Sequence, residues 1–147
     1  MRAAERFDAP SGRFRLWTWR RGVLMEVTDE ANLIVSNSQQ IHAQLLGGQV
    51  ANNSVTQIAY GTGTAPAAVG NTVITNPFAK PLDSVAFPAS NQVQFNFSLA
   101  STEDNGVAIS EFGLLTAGGV LYARKVRTAP LNKDTDLSFT GSWTISF

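Results

Sequence analysis

Two segments of the chain alternate strictly between apolar and polar residues. In residues 92–99 the apolar positions are Val93, Phe95, Phe97 and Leu99, and the residues between them are Gln, Asn and Ser. Residues 137–147 repeat this pattern and end on an aromatic residue. A period of two is typical of an antiparallel strand with one face on a core. Both segments are therefore predicted to be half-buried strands, and the second is expected to stay in a sheet to its last residue.

Turn residues separate further strand candidates. Residues 108–127 contain two apolar-rich runs around Thr116–Gly119, which predicts a hairpin whose glycines supply the positive φ of the turn. Residues 13–27 predict a second hairpin that turns at 20–22. Residues 78–87 read as a broken strand that Pro81 confines to a sheet edge or a strand start.

One segment has a helical period instead. Ser36 or Ser38 can cap a helix, Ile41, Leu45 and Leu46 follow at helical spacing, and Gly47–Gly48 ends it. The single histidine, His42, lies within this helix between apolar neighbours. No partner for it is evident, so the sequence predicts a surface or boundary histidine rather than a catalytic one.

Together these elements predict a mainly β protein. The expected architecture is an antiparallel two-sheet β-sandwich with one short helix and an extended N-terminal arm. The predicted organisation is a basic arm or strand at residues 1–21 and a β-sandwich domain at residues 22–147. A chain of 147 residues is long enough to bury such a core without stabilising disulfides or metal ions.

The residue types argue against an enzyme. The chain has no cysteine and one histidine, so thiolate metal sites, disulfides and His-rich sites are excluded. The loop at 61–72 lacks the Gly-Lys-Ser/Thr ending of a phosphate loop. Glu103, Asp104 and Glu111 could form the carboxylate pair of a glycosidase, although a turn at 101–106 accounts for the first two. We therefore expect a structural or interaction protein with no catalytic residues, no metal and no cofactor.

Charge is unevenly distributed along a chain that is neutral overall. Residues 1–21 contain six arginines against Glu5 and Asp8, a balance of +4, which leaves −4 for the remainder. Neutrality predicts no direct binding of nucleic acid. The basic residues of 125–127, together with Lys133, are predicted to lie in solvent at the end of a strand.

A candidate interface lies in the N-terminal segment. Arginine and tryptophan are enriched at protein interfaces, because they give bidentate bonds and a large buried area. The alternative is that Trp17 and Trp19 pack on the domain's own core. The predicted interface residues are Arg13, Arg15, Trp17, Trp19, Arg20 and Arg21.

No apolar run approaches the ~20 residues that a membrane span needs. The N-terminus lacks the apolar middle of a signal peptide. We therefore expect a soluble protein that is made in the cytoplasm and does not enter a membrane.

Five stretches of the chain share one further feature: residues 19–48, the "IAYGTGTAP" run within 55–74, "VQFNFSL", "NGVAISEFGLLTAGGVLYARKV" and the terminal "WTISF". Through them residues 19–147 resemble small structural proteins of tailed bacteriophages, which are encoded among tail and tail-fibre genes. It implies a virion protein that is made in the host cytoplasm and joins tail-fibre, baseplate or collar parts. Homo-oligomerisation, in the form of a trimer by analogy with phage fibres, is a further implication.

Two alternatives stay open. A capsid decoration protein would also be small, neutral and cysteine-free. A glycan-binding module or glycan hydrolase for host recognition would need exposed aromatic residues or a carboxylate pair with shifted pKa values. On the adaptor reading, residues 1–21 reach a neighbouring subunit, and their deletion should leave a folded domain.

Overall fold

The computed structural model describes residues 9–147, which form nine antiparallel strands and one helix. In chain order the elements are β1 Ser11–Arg20, β2 Val23–Ile34, α1 Asn37–Leu46, β3 Val55–Gly61, β4 Phe78–Pro81, β5 Ser84–Ala86, β6 Gln92–Leu99, β7 Ala108–Thr116, β8 Leu121–Asn132 and β9 Leu137–Ser146.

All nine strands belong to one sheet, in the order β4-β3-β7-β8-β2-β1-β9-β6-β5. The expectation of two separate sheets is corrected here, because β2 belongs to both halves. It pairs with β1 along most of its length and with β8 at Leu33 and Ile34. The sheet is therefore a single curled half-barrel, while the mainly β composition and the single short helix are confirmed.

The curl brings the inner faces of distant strands into contact. The rings of Phe14 on β1 and Phe112 on β7 lie 4.9 Å apart between centroids, and Tyr60 on β3 lies 6.3 Å from Phe139 on β9. Trp143 meets Phe14 edge to face at 5.0 Å. These aromatic contacts form the centre of the main hydrophobic core, which draws on both halves of the sheet.

The two edge strands are consecutive along the chain. The link between β4 and β5 bonds to both margins of the sheet: Leu82 N–H donates to the carbonyl of Thr56, and Asp83 N–H donates to that of Asn96. The prediction that Pro81 lies on an edge is confirmed, since β4 is one end of the strand order.

The predicted N-terminal arm is not an arm over the residues that the structure describes. Residues 11–20 form β1, which lies between β2 and β9 and pairs with both along its whole length. Phe14 and Leu16 are fully buried. The division at residue 21 is therefore wrong for this part of the chain, because β1 supplies core side chains. Arg2, Glu5, Arg6 and Asp8 of the predicted arm lie outside the described residues.

The predicted hairpins and the helix are confirmed, with local differences. The turn between β1 and β2 has positive φ at Arg21 and Gly22, and in the β7–β8 turn only Gly119 has positive φ. Helix α1 begins after Ser36, whose side chain makes no capping bond, and ends at Leu46, with Gly47 as its C-cap. Ile41 is buried as expected, whereas Leu46 points to solvent.

The alternating strands also match the sequence pattern. Phe95, Phe97 and Leu99 of β6 are buried, as are the apolar residues of β9 from Leu137 to Ile145. The chain stays attached beyond β9, since Phe147 N–H donates to the carbonyl of Asn91. The ring of Phe147 nevertheless lies largely in solvent.

A second, smaller core lies on the other side of the sheet. Residues 62–77 pass over the outer face of β3, β7 and β8, and Ile74 packs there. A Cβ on Gly113 would come within 2.7 Å of Ile74, so this position requires glycine. The members of this cluster are Val35, Ala59, Ile74 and Leu121, with Leu115 partly buried against them.

Candidate functional site

The outer face of β1 carries four of the six residues predicted to form an interface. Inward-facing Phe14, Leu16 and Thr18 are buried, and Arg13, Arg15, Trp17 and Trp19 alternate with them. Because successive side chains of a strand point to opposite faces, these four share the outer side of the sheet. The alternative that the two tryptophans pack in the domain's core is therefore wrong.

Neighbouring strands extend the tryptophans into an apolar patch. In the sheet register Trp17 lies beside Val27 on β2, and Trp19 lies beside Leu24. Both aliphatic side chains are exposed. We call Trp17, Trp19, Leu24 and Val27 the tryptophan patch.

The patch is held in place on its other side by β9. Trp17 and Thr140 are register partners, and the indole Nε1–H of Trp19 donates to Thr140 Oγ1 at 3.0 Å. A tryptophan whose polar atom is bonded within the chain presents mainly its apolar ring to a partner. The patch is therefore a fixed, aromatic surface on a central strand.

Two arginines flank the patch and share one acid. Arg13 Nε lies 2.6 Å from Asp29 Oδ1, and Arg15 Nε lies 3.4 Å from the same atom. The hydrogen bond from Arg13 holds the pKa of Asp29 below its ordinary value, despite an opposing contribution from burial. Two guanidinium groups against one carboxylate leave this part of the face with a local charge of +1.

Arg20 and Arg21 lie elsewhere, at the hairpin end of β1. Arg20 Nη1 lies 3.3 Å from Asp134 Oδ2, and Arg21 Nη2 lies 3.0 Å from Asp136 Oδ2. These pairs connect the hairpin to the turn before β9. The structure therefore separates the six predicted residues into four on the outer face and two at its end.

Across β9 and β6 the outer face is polar and uncharged. The outward residues of β9 are Ser and Thr, and those of β6 are Gln, Asn and Ser. They bond to one another: Gln94 Nε2 donates to Asn96 Oδ1 within β6 at 2.8 Å, and Asn96 Nδ2 donates across to Ser84 Oγ on β5 at 2.9 Å. This face therefore offers neutral hydrogen-bonding groups next to an aromatic patch.

Two of the three acids considered for catalysis, Glu103 and Glu111, are held in internal contacts, whereas Asp104 Oδ2 is buried without a hydrogen-bond partner among the described residues and burial raises the pKa of Asp104. Glu111 on β7 is fully buried, pairs with Arg124, and accepts the backbone N–H groups of Gly63 and Thr75 at 2.9 and 2.6 Å. Its carboxylate thus anchors residues 62–77 to the sheet. Glu103 accepts from Lys80 Nζ at 2.8 Å, and this bond holds the pKa of Glu103 below its ordinary value.

The predicted basic cluster at the end of β8 is not a group of free charges. Lys125 pairs with Glu30, and Arg127 pairs with Glu26. Lys133 is buried instead, where its ammonium donates to the carbonyls of Ser101 and Asp134 and to the side chain of Asn105. Burial lowers the pKa of Lys133. These cations stabilise strand and turn contacts.

His42 has a partner that the sequence did not indicate. Its Nε2 lies 2.7 Å from the hydroxyl of Tyr122, and its ring packs edge-on against Phe147 at 5.6 Å between centroids. Burial lowers the pKa of His42 and raises the pKa of Tyr122 to about 12. The two partners are 80 positions apart, so no local pattern could have shown this contact.

Neither a metal centre nor a membrane-spanning helix is found within residues 9–147. No group of three or more His, Cys, Asp or Glu side chains there is placed to hold a metal ion. The one helix of the described chain is too short to cross a membrane. Comparison with protein-family models, with curated proteins and with solved structures found no match to this chain.

Proposed function

We propose that this chain is a structural protein of a tailed-bacteriophage virion, located on the tail side as a collar, baseplate or fibre-attachment adaptor. It acts through protein–protein contacts and carries out no catalysis. The placement in a virion rests on the sequence resemblance across residues 19–147. The docking mechanism rests on one structural observation: Trp17 and Trp19 lie half-buried on the outer face of a central strand, next to exposed Leu24 and Val27.

The position of the patch supports a docking role. Large aromatic side chains at fixed positions lose little conformational entropy on binding. A larger share of the free energy gained by burying them therefore contributes to affinity. β1 is fixed by hydrogen-bonded strands on both sides, and Trp19 is further held by Thr140. The partner surface that fits best is apolar at its centre, with an acidic rim that meets Arg13 and Arg15.

Immunogold electron microscopy of intact particles tests the virion placement. An antibody against the recombinant domain should label the tail tip or collar, and mass spectrometry of purified particles should contain the chain. Gold spread over the head would instead identify the chain as a capsid decoration protein and overturn the adaptor proposal. No label, with the chain absent from the particles, would overturn the virion proposal altogether.

The docking surface is tested separately, by complementing a phage that lacks the chain. The double variant Trp17→Ala/Trp19→Ala should remain folded but should no longer enter particles. Val73→Ala is a matched control, since Val73 is an exposed apolar residue on the loop over β3, β7 and β8. Normal incorporation of the tryptophan variant would show that the patch is not the docking surface.

A glycan-binding module is the second candidate, because the tryptophans lie beside an uncharged Ser/Thr/Asn/Gln face. Aromatic rings can pack against the apolar faces of sugar rings. Neutral polar side chains can form hydrogen bonds with the sugar hydroxyls. Calorimetric titration with host-surface polysaccharide would distinguish the candidates. Heat of binding that disappears in Trp17→Ala would favour glycan recognition, and its absence in the wild type would exclude the glycans tested.

A further inference from the structure

One groove in the described part of the chain has no charged residue in its lining. No Asp, Glu, Lys or Arg occurs between Ala31 and Ala79, and the same holds for residues 84–102 and 137–147. The three uncharged segments converge on this groove of about 500 Å³ between α1 and the ends of β6 and β9. Proteins ordinarily disperse charge over their surfaces, so an apolar groove with an uncharged lining is a candidate interface.

The groove opens into the hydrophobic core. Ile41, Leu45 and Val93 line it, and they also pack in the main core. At its rim Phe87 is 77% exposed and Phe147 is 56% exposed. The few polar groups are neutral, among them the His42–Tyr122 pair. An occupant of this groove must therefore be apolar and uncharged.

An exposed apolar side chain of the protein itself, which could occupy such a groove, lies beside it. Leu46, the last residue of α1, is 92% exposed, the highest value among the large apolar side chains that the structure describes. It directly follows Leu45, which lines the groove. Val50, four residues further on, is also exposed. This projection and the groove are therefore adjacent.

We propose that the end of the half-barrel around this groove is an interface between copies of this chain, in which Leu46 of one copy enters the groove of another. Because the groove lining contains no charged residue, contact there desolvates no charge of that lining, and depletion of charged residues is the compositional mark of an interface core. If the contact is reciprocal it closes a dimer about a twofold axis; if it is head-to-tail it builds a ring or an open filament.

This interface leaves the tryptophan patch free. Trp17 and Trp19 pair with β9 at Thr140 and Ser138, whereas the groove includes Phe147 just beyond the other end of that strand. The separation is roughly 25 Å at the usual rise of a strand. One end of the molecule can therefore join copies while the outer face binds a different protein, and this inference does not depend on the virion placement.

Sedimentation of the full chain tests the interface. The wild type should form an oligomer that dissociates on dilution, and Leu46→Glu should weaken the association by at least about tenfold, because a buried charge would lie against the groove. Met25→Glu is the matched control, since Met25 is an exposed apolar residue on β2 near the tryptophan patch. Circular dichroism should show all three chains equally folded.

Cross-linking tests the specific contact. The chain has no cysteine, so single-cysteine variants report one position each. A mixture of Leu46→Cys and Phe87→Cys chains should give the mixed disulfide on mild oxidation, and a mixture of Met25→Cys and Phe87→Cys chains should not. Because each chain carries one thiol, a mixed product can only join two copies.

Two results would overturn the proposal. A wild type that stays monomeric at roughly 100 µM would mean that the groove accepts another apolar occupant or none. Dissociation by Met25→Glu but not by Leu46→Glu would place self-association on the tryptophan patch. Neither result changes the immunogold test, so failure of this interface and failure of the virion placement are distinguishable.

Discussion

Arg124 and Glu111 form a buried ion pair beneath the loop of residues 62–77. Arg124 Nε lies 2.7 Å from Glu111 Oε2, and the two side chains are 5% and 0% exposed. The guanidinium also reaches the loop, where its Nη1 donates to the side chain of Asn71 at 3.0 Å. The pair therefore connects β7, β8 and the loop that covers them.

Glu111→Gln should destabilise the fold by about 3 kcal/mol, because it leaves the buried guanidinium without a counter-charge. Urea unfolding measures the change in the free energy of unfolding, and limited proteolysis should show earlier cleavage within residues 62–77. Glu30→Gln is the control: its pair with Lys125 is more than half exposed on the acid side, so the cost should stay below about 1 kcal/mol. Equal costs for both variants would contradict the anchoring role of Glu111.

Gly141→Ala should destabilise the fold by about 1–3 kcal/mol through overpacking. Gly141 lies opposite Phe97 in the register of β6 and β9, and an added Cβ would overlap the Phe97 ring and approach the carbonyl of Arg15 at 2.8 Å. Thermal unfolding measures the loss. Gly70→Ala is the matched control, because open space surrounds Gly70. An unchanged melting temperature for Gly141→Ala would show that the Phe97 ring moves aside freely.

β1 should be required for folding. Removing residues 1–21 takes away a strand that pairs on both sides, so the truncated chain should lose the cooperative melt that an arm deletion would preserve. Phe14→Ala should cost about 3–5 kcal/mol, because Phe14 is fully buried among aromatic rings. Trp17→Ala, on the outer face of the same strand, should cost far less. A cooperative melt of the truncated chain would restore the arm interpretation.

His42 should make stability depend on pH. Burial lowers the pKa of His42 below its ordinary value of 6.5, so the unfolded chain takes up a proton more readily than the folded one. The contribution of neutral His42 to the free energy of unfolding is fully present above pH 6.5, and it is lost as the pH falls through 6.5 towards the lower pKa of the folded state. The free energy of unfolding of the wild type should therefore decrease as the pH is lowered from 6.5 through this window.

A comparison with His42→Gln isolates that contribution, because acids such as Asp29 and Glu103 titrate at lower pH. The variant should show a flatter dependence between neutral pH and pH 5.5, measured by urea unfolding at each pH. The same slope in both chains would mean that other groups account for the effect.

The sequence alone predicted the local structure well where side chains alternate regularly. The strands that contain Phe95–Leu99 and Leu137–Ile145, the two hairpins and the short helix follow from period, turn residues and glycine stops. The edge position of Pro81 followed from its missing N–H. Each of these properties depends on neighbours within a few positions of the chain. The same alternation places Arg15, Trp17 and Trp19 on one face of β1, but it did not show that this face is the outer one.

Only the tertiary structure decided how these pieces combine. Alternation shows which face of β1 is apolar, but not that β2 and β9 flank it, so a central strand resembled an arm in the sequence. The curl that replaces two sheets by one depends on β2 pairing with both β1 and β8. Contacts such as Glu111 with Gly63 and His42 with Tyr122 join residues 48 and 80 positions apart. Local patterns do not encode such pairings, because they depend on how the whole sheet closes around its core.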